Sequence, residues 1–78
     1  MREVKIFLGT IERVKDFVNA VTRLDCDMDI VSGRYVIDAK SIMGIFSLDL
    51  SKPIDLNIHA DGAALDSVME IIDKYTVE

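Results

Sequence analysis

A serine stands directly ahead of the most apolar run in this chain, Ile42-Met43-Gly44-Ile45-Phe46-Ser47-Leu48. The hydroxyl of Ser41 is a good helix N-cap, because it can accept a hydrogen bond from an unpaired N–H in the first turn. Wound at about 100° per residue, Ile42, Ile45 and Leu48 cover one side of that helix, and Met43, Phe46 and Leu50 cover another. The apolar arc spans roughly 220°, whereas a helix lying on a core needs only about 100°. So small a chain cannot bury such a helix all round. Part of it is expected at the surface, as a docking patch directly behind a serine.

Other sites for chemistry are few. Asp25, Asp27 and Asp29 alternate like the opening of a calcium loop, but Ile30 stands where that loop needs glycine and Val36 where it needs its bidentate glutamate. They read as the solvated face of a strand, and no metal is expected. Cys26 alternates with Met28 and Ile30 and reads as a small buried apolar residue rather than a reactive thiol. His59, the only histidine, falls on the open face of a strand with no serine or cysteine nucleophile beside it. Gly9 and Gly62 lack the surroundings of a phosphate loop. No complete active site emerges, and the reading is a non-enzyme without a cofactor.

The elements that must carry these residues alternate in kind. Val4, Ile6 and Leu8 alternate with Glu3, Lys5 and Phe7, a strand with one apolar exception on its outer face. From Thr10, a plausible N-cap, Ile11, Val14, Phe17, Val18, Val21 and Leu24 recur at helical spacing. Cys26, Met28 and Ile30 then face one way and Asp25, Asp27 and Asp29 the other. Ser32-Gly33 turns that strand into Arg34-Tyr35-Val36-Ile37-Asp38, making a hairpin. After the short apolar helix and Pro53, Ile54, Leu56 and Ile58 alternate with Asp55, Asn57 and His59. Asp61-Gly62 turns into a last helix with the stripe Leu65, Val68, Met69, Ile72 and Tyr75, and Ile71 at its edge. Strands apolar on one side only imply an antiparallel sheet with its helices on one face.

Composition narrows the class. The chain has 78 residues, half of them hydrophobic and 29% charged, an ordinary mix for one small domain spanning 1–78. A net charge of −5 argues against nucleic acid and against an anionic membrane surface. No run is apolar enough to span a bilayer, Met1-Arg2-Glu3-Val4-Lys5 lacks the apolar core of a signal peptide, and one cysteine rules out an internal disulfide framework. A cytoplasmic protein is expected.

The segment Ala39-Lys40-Ser41-Ile42-Met43-Gly44-Ile45 followed by Ser47-Leu48 resembles the regulatory-serine segment of HPr, the small phosphocarrier of the bacterial sugar phosphotransferase system. Serine, an apolar pair, glycine and Ser-Leu fall in register, and the likeness extends to the element order and to Ala60-Asp61-Gly62 before the last helix. The resemblance implies an α+β open-faced β-sandwich, a four-stranded antiparallel sheet with three helices on one face. It also implies a relay histidine in a motif like His-x-Arg-Pro between the first strand and first helix. This chain has Phe7-Leu8-Gly9-Thr10-Ile11-Glu12-Arg13-Val14 there, without histidine or proline, and the histidine's place falls near Thr10. A phosphothreonine ester does not readily pass its phosphoryl group onward, so carrier activity of the usual kind is expected to be absent.

A histidine-less relative that keeps the serine is similar to the catabolite-repression HPr-like proteins, which act through the phosphorylated serine. On that likeness Ser41 is the site modified by HPr kinase/phosphorylase, and the modified protein binds a catabolite control repressor. Ile42, Met43 and Phe46 are then docking contacts, with Lys40 beside the serine and Arg13 near the position of the family's loop arginine. Two alternatives stand beside this one. In the first, a degenerate HPr-like module uses Ser41 only as a cap and its patch docks another partner or closes a homodimer. In the second, the chain is a small ferredoxin-like or amino-acid-sensing domain, which strand order would reveal.

Overall fold

The period-two runs form a sheet and the helical stripes form the layer that covers one side of it. The computed structural model describes residues 1–77. Their order is β1 (Arg2–Ile6), α1 (Ile11–Thr22), β2 (Asp27–Ser32), β3 (Tyr35–Asp38), α2 (Ile42–Phe46), β4 (Ile54–His59) and α3 (Gly62–Ile72). A 3₁₀ turn (Asp73–Tyr75) and β5 (Thr76–Val77) follow. The sheet runs β3-β2-β4-β1-β5, and every neighbouring pair is antiparallel. β4 takes the centre, hydrogen-bonded to β2 on one side and β1 on the other. Ile54, Leu56 and Ile58 are buried under the helices, while His59 on the other face is exposed.

Register fixes the core. Ile6 pairs with Ile54, Met28 with Ile58, and Ile30 with both Leu56 and Ile37, so one sheet face is a block of branched and flexible apolar side chains. Val14, Phe17 and Val21 of α1 close over it together with Val68 and Ile72 of α3 and Ile45 of α2. Phe17 meets Tyr75 edge to face, ring centroids 5.3 Å apart, the arrangement the aromatic quadrupole favours. The opposite face stays open to solvent, carrying Lys5 on Asp55 at 2.8 Å and His59 on Asp29 at 2.8 Å.

The open-faced arrangement is the expected one, with corrections. The sheet has five strands, not four: after the 3₁₀ turn, Thr76 and Val77 pair with Ile6 and Lys5 at the outer side of β1. β1 ends at Ile6, so Phe7 is not an outward strand residue, and its amide donates to the Tyr75 carbonyl. Gly9 follows with φ +59, where a Cβ would lie 2.6 Å from the Phe7 ring. β2 begins at Asp27, leaving Asp25 and Cys26 in the bend before it, with Cys26 half-buried against the core. Ile11 belongs to α1 by period but is 61% exposed, the first residue of the helix, whereas Val14, Phe17 and Val21 on the same stripe are buried.

Candidate functional site

α2 is five residues long, too short to persist without tertiary contacts. Its start is defined locally. Asp38 folds the chain over, its carbonyl accepting from the Ser41 amide at 2.9 Å and its carboxylate from the Lys40 amide at 2.9 Å. Ser41, in extended conformation, then caps the helix, its Oγ accepting from the Gly44 amide at 3.3 Å. At Ser47 the helix stops, that hydroxyl donating to the Gly44 carbonyl.

Packing of α2 turns on Gly44. A Cβ there would lie 2.6 Å from Cγ2 of Ile37 in β3, so only glycine lets the helix backbone approach the strand this closely. Pressed down on that side, α2 buries Ile45 completely and half-buries Ile42 against the core. Met43 and Phe46 are left on the opposite side, 76% and 37% exposed. Leu48 and Leu50 lie beyond the helix end and pack on the core, so the exposed apolar surface of α2 is narrower than its sequence suggests.

Hydroxyl chemistry separates the serines of this region. Ser47 Oγ donates to the Gly44 carbonyl and Ser51 Oγ to the Asp49 carboxylate, both at 2.6 Å. The latter bond, with that from the Ser51 amide, holds the Asp49 carboxyl below the usual carboxylate range. Ser41 Oγ only accepts, and its proton meets no acceptor among the described residues.

The two cations assigned to the site are both engaged elsewhere. Lys40 sends Nζ to the Leu24 carbonyl at 2.8 Å, just beyond the C-terminal end of α1, where orphan carbonyls and the helix dipole favour a positive charge. Arg13 sits in the first turn of α1. Its Nε and Nη2 donate to the Phe7 carbonyl at 3.2 and 3.0 Å, and Nη2 also to the Lys74 carbonyl at 3.2 Å. The guanidinium lies 5.2 Å from the Tyr75 ring centroid. It therefore staples α1 to the residue after β1 and to the 3₁₀ turn that follows α3. Ser41, Ile42, Met43 and Phe46 share one element, with Lys40 beside them. Arg13 is anchored toward the opposite end of α1 from Lys40.

Thr10 caps α1 as Ser41 caps α2, Oγ1 accepting from the Arg13 amide at 3.2 Å. Two residues before Arg13, the spacing of a His-x-Arg motif, stands Ile11. His59 is far from both. β1 runs from Arg2, opposite Ile58, to Ile6, opposite Ile54, and hands over to α1 at the latter end. His59 lies past the former end, five residues along β4 or about 17 Å, and on the open face with Nε2 on Asp29. The acidic residues of that face are spoken for in part: Asp29 holds His59 and Asp55 holds Lys5.

A family model described as "PTS HPr component phosphorylation site" matches residues 12–77 of this chain. Among solved structures, the fold is similar to that in the crystal structure of HPr-C-His from Thermoanaerobacter tengcongensis. The TM-score is 0.72 with 24% sequence identity, over 95% of this chain and 93% of that one. At that identity the likeness is one of fold.

Proposed function

This chain belongs to the HPr family of phosphotransferase-system components, and from that membership we propose that it is a cytoplasmic regulatory member switched at Ser41, with residues 1–78 as a single HPr-like domain. Proteins of the family are phosphocarriers rather than enzymes. In this reading the carrier function itself is absent. The residue two before Arg13 is Ile11, Thr10 offers no imidazole nitrogen, and His59 stands at the other end and on the other face of the sheet.

One observation carries the proposal: the Ser41 hydroxyl, its proton unengaged, caps the short helix whose outward apolar side chains are Met43 and Phe46. Phosphorylation there adds about −1.5 to −2 charges next to that apolar surface. Placement at a half-buried helix start such as this one is worth at most about 2 kcal/mol, too little to remodel the domain. The switch acts on the surface. A partner offering an arginine beside an apolar groove gains charge-assisted hydrogen bonds in addition to burying Met43 and Phe46. HPr kinase/phosphorylase as modifying enzyme and a catabolite control repressor as partner fit that chemistry. Lys40 contributes only by leaving the Leu24 carbonyl, and Arg13 only by releasing the Phe7 and Lys74 carbonyls.

The test uses two donors. With ATP and HPr kinase/phosphorylase, the protein should gain one acid-stable phosphate at Ser41, and Ser41→Ala none. With phosphoenolpyruvate and the enzyme that charges HPr, it should gain no acid-labile phosphate. Modification at Ser47 or Ser51, or a labile phosphate that depends on His59, would defeat the reading.

A further inference from the structure

We infer that this protein self-associates through the free edge of β3, two copies pairing that strand antiparallel about a two-fold axis at Val36. β3 is an outermost strand, and an unpaired edge is a template for another strand. The Ala39 amide donates to the Met28 carbonyl, so residues 35, 37 and 39 direct their backbone groups toward β2. By the alternation of an antiparallel ladder, Val36 and Asp38 direct theirs outward, and so does the carbonyl of Arg34, the last turn residue, which points opposite to the Tyr35 amide of the same peptide. The Asp38 carbonyl is already taken by the Ser41 amide. What remains at the edge is both groups of Val36, the Asp38 N–H and the Arg34 carbonyl.

Those groups match themselves under a two-fold axis. Centred at Val36, each Val36 exchanges both hydrogen bonds with its counterpart, and each Asp38 N–H donates to the Arg34 carbonyl of the other copy. The charges match too, with Arg34 of one copy opposite Asp38 of the other, twice. Arg34 forms no hydrogen bond or ion pair within the chain among the described residues. An axis at Asp38 would instead set carboxylate against carboxylate, and an axis at Arg34 would set guanidinium against guanidinium. An axis at Ile37 would use backbone groups that already face β2. Val36 and Tyr35 are each 67% exposed, so the register also covers apolar surface on both faces of the strand. At the other edge, β5 is two residues long and offers no comparable ladder. The complement that β3 needs is β3 itself, which makes a second copy the occupant.

So short a strand addition buries less than a standard interface of about 1,200–2,000 Å², so the dimer exchanges fast and is filled only at high concentration. Amide NMR spectra and sedimentation from about 0.05 to 2 mM protein read it, a range that spans dissociation constants near 1 mM. Expected are concentration-dependent shifts confined to residues 34–38 and a sedimenting mass that rises toward the dimer. Arg34→Glu should weaken association at least tenfold, and adding Asp38→Lys should restore it. Native spectra elsewhere in each variant establish that the chain is folded. Self-association absent at the top concentration, unaffected by Arg34→Glu, unrestored in a folded double variant, or mapped to Met43 and Phe46 would overturn the inference.

Discussion

Two helix starts in this molecule use the same cap and lead to opposite ends. At α1 and at α2 a hydroxyl residue in extended conformation accepts from the amide three residues on, at 3.2 Å for Thr10 and 3.3 Å for Ser41. The cap is the same; the next turn is not. After Thr10 comes Arg13, which ties three chain segments together through the carbonyls of Phe7 and Lys74 and the ring of Tyr75. After Ser41 come Met43 and Phe46, which stand out from the fold. Local capping chemistry therefore does not make a modification site. On the function proposed for Ser41, the difference lies in whether the following turn is consumed in holding the domain together or left for something else.

The comparison breaks most visibly inside α2. Ile45→Ala empties a fully buried position and should lower unfolding free energy by about 2–5 kcal/mol, measured by urea denaturation. Replacing Met43 and Phe46 together with serine should lower it by less, about 1–2 kcal/mol, nearly all of it from Phe46, whose ring is only 37% exposed. A loss of several kcal/mol from the double change would mean that the outward side is structural after all. Next in size is Arg13→Met, which keeps the apolar stem and removes the guanidinium. Hydrogen bonds to charged groups are worth about 1.5–3 kcal/mol, and thermal unfolding should show a loss in that range. An unchanged melting temperature would free Arg13 from its role as a staple. The smallest and most pointed pair is Thr10→Ala and Ser41→Ala. Each should cost about 1 kcal/mol as a lost cap, while only the second abolishes modification by the kinase. Unequal stability costs would show that the two caps are not equivalent.

Much of this was legible in the chain. The alternation of Ile54, Leu56 and Ile58 with polar residues identified β4 and its buried face, and the stripe Val14, Phe17, Val21 identified the inner side of α1. The outward position of Met43 was readable because the helix carries more apolar surface than a small core can take. β5 was not readable, since two residues carry no period. Nor was the exposure of Ile11, because helical spacing does not say how far toward its first residue a helix is covered. The engagements of Arg13 and Lys40 were hidden for another reason. Their partners are backbone carbonyls, of Phe7, Lys74 and Leu24, which every residue possesses and which no pattern of side chains announces.

The central place of β4 also sets an order in time. β1 finds its first hydrogen-bonded neighbour only in β4, with Ile6 and Ile54 separated by 48 residues (54 minus 6). β2 likewise has only the hairpin with β3 until the same strand arrives. A nascent chain that has reached Pro53 owns one hairpin and no sheet, and closing so long a loop is the slow, entropically expensive step. The groove that receives Ile45 therefore does not exist during most of synthesis. Ser41 leaves the ribosome well before the fold that presents it, and an enzyme reading that presentation must wait for the last third of the chain.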